Sequence, residues 1–202
     1  SSDLLEFNKL HTKINQDYIA VNFREFPLEY SKNNDSKNIN EELKFFIQAF
    51  ANKFFDKEIR LIPMHYFHIG GDDRVFLNRI ALELKKKNIK VQNSNLTLKQ
   101  TMEVYQNAYF NVGMRFHSVV LQTIVSGKNY ILDYTEPKKG KISGFLKDID
   151  DFCFYKERYI SLQEGDISID ILNNETNKFK IEDGNLNKHL EVYTKRLKKI
   201  KE

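Results

Sequence analysis

Arg115 and His117 stand two positions apart in the segment NVGMRFHSVV, residues 111–120, with apolar residues on either side and Gly113 just ahead of them. An arginine offers a planar fork that binds phosphate or carboxylate with two parallel hydrogen bonds. A histidine exchanges a proton near neutral pH. If a strand ends and a helix begins here, the first turn adds free N–H groups and the positive end of the helix dipole, a ready site for an anion. Gly113 is read as the residue that lets the backbone turn tightly from strand to helix. Charge binding and proton transfer would then share one helical turn. The bland reading is that the arginine is a salt-bridge partner and the histidine structural. What decides between them is where the segment sits in the fold.

The elements around it follow from apolar periodicity. YIAVNF (18–23), IRLIPM (59–64), IKVQ (89–92), AYFNV (108–112) and NYILDY (129–134) read as short buried strands. INEELKFFIQAFANKFF (39–55), RVFLNRIALELKKK (74–87), TLKQTMEVYQN (97–107), RFHSVVLQTIVS (115–126) and ISGFLKDI (142–149) read as helices. Asn38 is a candidate N-cap, Thr97 with Gln100 fits a capping box, and Gly127 suits a helix C-terminus. Asp72 and Asp73 are most simply capping residues for the helix they precede. Strands alternating with helices make βαβ units and a parallel sheet. Residues 17–150 are therefore expected to form a doubly wound, Rossmann-like α/β domain. Residues 1–16 read as a helical N-terminal segment. Residues 151–202 read as a C-terminal extension, with ERYISLQ a candidate strand and 186–201 a basic amphipathic helix.

Composition narrows the function classes. The 202 residues are 41% apolar and 30% charged, which suits a globular domain with a real core. The net charge of +4 comes from 32 basic and 28 acidic residues, and much of the excess lies in the tail TKRLKKIKE. No clustered basic footprint argues for nucleic acid. A single cysteine, Cys153, excludes an intrachain disulfide and any Cys-based metal site. No apolar run approaches the ~18 residues of a membrane span, and the first residues lack a secretory pattern. The expectation is a cytoplasmic protein.

In doubly wound sheets ligands bind beyond the carboxyl ends of the strands, so the polar residues just after each strand carry the weight. Arg24 follows the first strand. His65 follows the second, with His68, Gly70, Gly71, Asp72 and Asp73 close behind. Gly113, Arg115 and His117 follow the fourth, and Tyr134, Lys138, Lys139 and Lys141 the fifth. All should line one edge. His65 and His68 beside two aspartates raise a metal site, but the glycine-containing loop has no fixed ligand spacing, and metal is not expected. Lys138 and Lys139 are most simply a solvated loop.

With these residues assembled, the chain resembles the polysaccharide pyruvyl transferase family. The resemblance rests on GMRFHSVVLQTIVSGKNYILDY followed by KISGFL, that is on Gly113, Met114, Arg115, His117, Tyr134, Lys141, Gly144 and Phe145. Weaker matches are Arg24 in VNFRE and IPMH followed by two aspartates. Phe116 stands where leucine is usual, and the loop from Tyr134 to Lys141 is longer than usual. The family resembles two-domain GT-B enzymes, and this chain matches the C-terminal half, with the N-terminal half absent.

The resemblance implies transfer of a pyruvyl group from phosphoenolpyruvate to a sugar of a cell-surface polysaccharide or its precursor, as a ketal across two hydroxyls. His117 is the candidate general acid/base, with His65 a weaker one. Arg24, Arg115, Gly113, His65, Tyr134 and Lys141 are the candidate substrate-binding residues. No cofactor or metal is implied, since arginines can neutralise the donor. The implied partners are phosphoenolpyruvate, a sugar or glycan acceptor (free or lipid-linked) and the missing N-terminal domain, with homo-oligomerisation left open. Two alternatives stand: a GT-B glycosyltransferase half that binds a nucleotide-sugar at the same helix N-terminus, and a binding domain without turnover.

Overall fold

A computed structural model describes residues 17–27, 36–67, 69, 71–137, 139–150, 153–164, 167 and 170, for 36–38 the backbone alone. The expected helices at the two ends of the chain lie outside the described residues. In chain order the elements are β1 (Tyr18–Asn22), α1 (Ser36–Lys53), β2 (Glu58–Leu61), α2 (Asp73–Leu84), β3 (Ile89–Val91), α3 (Leu98–Asn107), β4 (Asn111–Gly113), α4 (Phe116–Val125), β5 (Asn129–Asp133), α5 (Lys141–Asp150), a 3₁₀ turn (Tyr155–Glu157) and β6 (Tyr159–Ser161). The six strands form one sheet in the order β3-β2-β1-β4-β5-β6, and every neighbouring pair is parallel. This is the doubly wound α/β architecture expected, and its order reverses between β1 and β4. The ERYISLQ segment contributes β6, so the sheet continues beyond residue 150.

Alternation along β1 sorts the chain into two apolar layers. Ile19 and Val21 pack with Leu43, Phe46, Ile47 and Phe50 of α1 and Phe76, Leu77 and Ile80 of α2. Tyr18 and Ala20 face the other way, toward Met102 and Tyr105 of α3 and Leu121 and Val125 of α4. A further cluster joins Val119 of α4, Ile131 of β5 and Ile142 and Leu146 of α5. Helices therefore cover both faces, and β1 and β5 are buried along their whole length, as the continuous apolar runs of a parallel sheet require.

Local signals explain most boundaries. The capping box of Thr97 and Gln100 is formed in both directions. Asp72 caps α2 by accepting from the Arg74 amide. Gly127 adopts a left-handed φ of 65° after α4. Two expectations shift. α1 begins at Ser36, so Asn38 lies inside the helix and is not its N-cap. The fourth strand occupies Asn111–Gly113, because Ala108 is taken up as the C-cap of α3.

Phe110, 2% exposed, ties the first layer together. Its ring meets Phe50, Phe54 and Tyr130 at centroid distances of 5.5, 5.4 and 5.3 Å. Truncation at such a position leaves a cavity that its aromatic neighbours only partly fill. Phe110→Ala is expected to lower unfolding stability by about 3–5 kcal/mol in a urea titration; a loss below ~1 kcal/mol would show that Phe110 does not anchor this layer.

Candidate functional site

The carboxyl ends of β1 and β4 are aligned, with Asn22 opposite Gly113 in the register. This is the topological switch point, where helices leave the sheet on opposite faces and a crevice opens. Asn22 is fully buried. Its Nδ2 donates to the Ile62 carbonyl at 2.8 Å, and its Oδ1 accepts from the Arg115 amide at 3.0 Å. One side chain thus joins the ends of β1 and β2 to the start of α4. Arg115 is the N-cap of α4, and its side chain makes no capping hydrogen bond. The first amides of a helix have no partner within it, so this turn presents donors toward the crevice.

The Arg115 side chain lies against Asp73 instead. Its Nε donates to both carboxylate oxygens, at 3.0 and 2.8 Å, and its Nη2 donates to Oδ1 at 2.5 Å. The Asp73 side chain is 1% exposed and that of Arg115 15%. Asp73 Oδ2 also accepts from the amides of Met64 and His65 at 3.0 and 3.1 Å. Asp73 is therefore not a helix cap, as its place beside Asp72 suggested. It is a buried carboxylate that ties the β2–α2 loop to α4, and it became one because Arg115 of the next layer reaches over it. Nothing in the local sequence around Asp73 announces a partner 42 residues away.

Gly113 also has a different reason from the expected one. Among the described glycines, Gly71 and Gly127 have positive φ and Gly113 does not. A Cβ on Gly113 would lie 2.6 Å from Gln122 Oε1 and 3.0 Å from Val119 Cγ2. The glycine is there so that α4 can lie close on the strand end. Gln122 holds that place by donating from Nε2 to the Val112 carbonyl and to Ser118 Oγ, at 3.2 and 2.8 Å. Ser118 Oγ is in turn 3.0 Å from the Tyr105 hydroxyl, whose pKa burial raises. The floor beneath α4 is thus built of uncharged polar groups, hydrogen-bonded except at Gln122 Oε1.

Around this floor stand the remaining candidates. Arg24 leaves β1, and its guanidinium carbon lies 5.1 Å from the Tyr134 ring centre, with Nη1 3.5 Å from the Tyr134 hydroxyl. Since β4 lies between β1 and β5, this contact spans the end of β4. His65 is half-buried, and its Nδ1 lies 2.8 Å from the Gly71 carbonyl. A carbonyl only accepts, so Nδ1 carries the proton and Nε2 is left as the acceptor of the neutral ring. His117 is the second residue of α4 and is exposed. Lys141 opens α5 and is exposed too; Phe145 of that helix meets Phe116 edge-on at 6.2 Å. His68, Gly70 and Lys138 lie outside the described residues. Among the described residues, no group of three or more His, Cys, Asp or Glu side chains could hold a metal ion, and no helix is long and apolar enough to cross a membrane.

The sheet order and this edge invite comparison with known structures. No protein-family model matches the sequence, and neither does any curated protein. The UDP-GlcNAc 2-epimerase from Methanocaldococcus jannaschii is similar in structure, with a TM-score of 0.50 and 14% identity over 96% of this chain and 50% of that one. The chain has the fold of one half of a GT-B-type enzyme. It spans half the length of that structure.

Asn22 and Gln122 are the site residues that sequence reasoning passed over. The signal for Asn22 was a polar residue closing an otherwise apolar strand. For Gln122 it was a polar residue in the apolar stripe of α4. The packing at Gly113 gives a direct check. Gly113→Ala is expected to destabilise the fold by about 1–3 kcal/mol through overpacking, and the penalty should shrink in a Gln122→Ala background, read as coupling in a double-mutant cycle. Additive losses would disprove the close approach.

Proposed function

We propose that this chain is the donor-binding half of a GT-B-type sugar-modifying enzyme, which holds the diphosphate of a nucleotide-sugar at the start of α4. The observation that carries the reading is the α4 N-terminus, without a side-chain cap, at the switch point between β1 and β4. A helix N-terminus favours phosphate through its free amides and its dipole. Arg24, beside Tyr134, adds a cation at the same edge. The likeness in fold to an epimerase whose name includes a nucleotide-sugar supports the same donor class. A second half facing this edge would supply the opposite wall of the cleft and the acceptor site.

A second reading is pyruvyl transfer, and the meeting of Arg24 with Tyr134 across the end of β4 favours it, because both belong to the pyruvyl-transferase-like pattern. Phosphoenolpyruvate brings a phosphate and a carboxylate to be held by Arg24, Arg115 and the α4 amides. Its methylene carbon takes up a proton, a sugar hydroxyl bonds to the neighbouring carbon and gives up its proton, and a second hydroxyl displaces the phosphate to close the ketal. On this reading His117, exposed in the first turn of α4, would move these protons.

Calorimetric titration separates the two. The nucleotide-sugar reading expects saturable binding of UDP-GlcNAc with phosphoenolpyruvate much weaker; the reverse order establishes the pyruvyl donor, and binding of neither sinks both. His117→Ala is expected to leave thermal stability within about 0.5 kcal/mol, as for other exposed positions, while turnover of the intact enzyme falls roughly 10²–10⁴-fold. Normal turnover in that variant would remove His117 from the chemistry.

A further inference from the structure

We infer that Asp73 is a positioning residue: it aligns the Arg115 guanidinium so that one free edge of the fork faces the anion site at the start of α4. The inference rests on the phosphorylated-donor reading and adds to it the residue that prepares the anion ligand.

A guanidinium carries five N–H bonds, one on Nε and two on each terminal nitrogen. Asp73 engages the Nε–Nη2 side of the fork. Three N–H bonds remain, two of them side by side on the Nη1–Nη2 edge, which is not the edge that Asp73 holds. Exposure has the matching sense. The Asp73 side chain is 1% exposed and the Arg115 side chain as a whole 15%, so the arginine keeps contact with solvent where the carboxylate does not.

Both ends of this arrangement are pinned. Asp73 cannot follow the arginine, because the Met64 and His65 amides hold its Oδ2 and its own amide donates to the His65 carbonyl at 3.0 Å. The Arg115 backbone cannot shift, because Asn22 accepts its amide and its carbonyl receives the Val119 amide within α4. A long side chain normally loses rotamer freedom when it grips a ligand; here that freedom is lost on folding instead. A fork held at its side and open at its end suits the two oxygens of a phosphate or a carboxylate. Asp73 also cancels the arginine's charge, so net attraction for the anion rests on the α4 terminus and Arg24, while Arg115 supplies direction.

The test joins a solution probe of Arg115 to ligand titration. In nitrogen-15-labelled protein the Arg115 Nε–H signal, assigned by its loss in Arg115→Lys, should be protected from solvent exchange. Asp73→Asn keeps an acceptor for the loop amides and removes the charge. It should expose that signal and weaken binding of UDP or phosphoenolpyruvate about tenfold, with Arg115→Lys costing ~10-fold in the wild-type background and little more in Asp73→Asn. If Asp73→Asn fails to fold, Asp73→Glu keeps the charge but moves the carboxylate by one methylene, and the inference then expects a shifted Arg115 Nε–H signal together with weaker UDP or phosphoenolpyruvate binding. A merely structural pair would lower the melting temperature in each variant and leave affinity unchanged, which overturns the inference, as does an unaltered Nε–H signal in Asp73→Asn. Binding of UDP alone or of phosphoenolpyruvate alone identifies the anion. If wild-type protein binds neither, yet Arg115 Nε–H protection depends on Asp73, the donor reading falls and the alignment is retained.

Discussion

In a parallel sheet covered by helices on both faces, the fully buried strand positions that carry polar side chains lie at the strand ends. Unpaired polar groups in its interior are costly, and most buried side chains here have a partner, with Asn111 Oδ1 and Gln122 Oε1 among the exceptions. Asn22, Asn111, Asn129 and Asp133 are fully buried, and each sits at the first or last position of its strand. Each is bonded there. Asn111 reaches the Tyr105 carbonyl, and Asn129 reaches Thr123 and Tyr155. Asp133 accepts from Thr135 and from the Tyr159 hydroxyl. Asn22 links two strands to α4. Asn111 and Asn129 serve the amino edge and Asn22 and Asp133 the carboxyl edge, so the buried strand polar groups divide between the two ends of the sheet.

At the carboxyl edge the switch between β1 and β4 gives the crevice its position, and the pairing of Asp73 with Arg115 gives it its rigidity. A buried carboxylate demands compensation, and Asp73 draws it from two loop amides and a guanidinium. The α4 terminus thereby becomes part of one connected unit with the β2–α2 loop, which also carries His65. By contrast Arg24 is held to Tyr134 by a cation–π contact and a long hydrogen bond. Contacts of that kind contribute only about 0.5–1 kcal/mol when exposed. The site thus combines a fixed arginine with one that can move at small cost.

Much of this architecture is legible in the chain itself. Apolar runs of four to six residues separated by amphipathic stretches identify the alternating strands and helices, and from them the parallel sheet. The capping box at Thr97 and the glycine at 127 mark two helix ends by local chemistry that tertiary packing does not override. The rule that ligands lie beyond the strand ends then places Arg24, His65, Arg115, His117, Tyr134 and Lys141 along one edge, where the structure has them. Less legible are features that depend on a distant partner. Asp73 looks like a capping residue because capping is the local option, and Gly113 looks like a turn residue because glycine so often is. Asn38 looks like an N-cap, yet the helix continues two residues ahead of it.

The amino-acid pattern settles which residues reach the carboxyl edge of the sheet, because hydrophobic periodicity and the handedness of βαβ crossovers leave few other arrangements. What each of those residues is bonded to there is a matter of three-dimensional assembly. The bond from Arg115 to Asp73 spans 42 positions and that from Asn22 to Arg115 spans 93. The glycine at 113 answers to a glutamine two turns into the next helix. No periodicity encodes such pairings, since they arise only when separate layers of the fold close on one another.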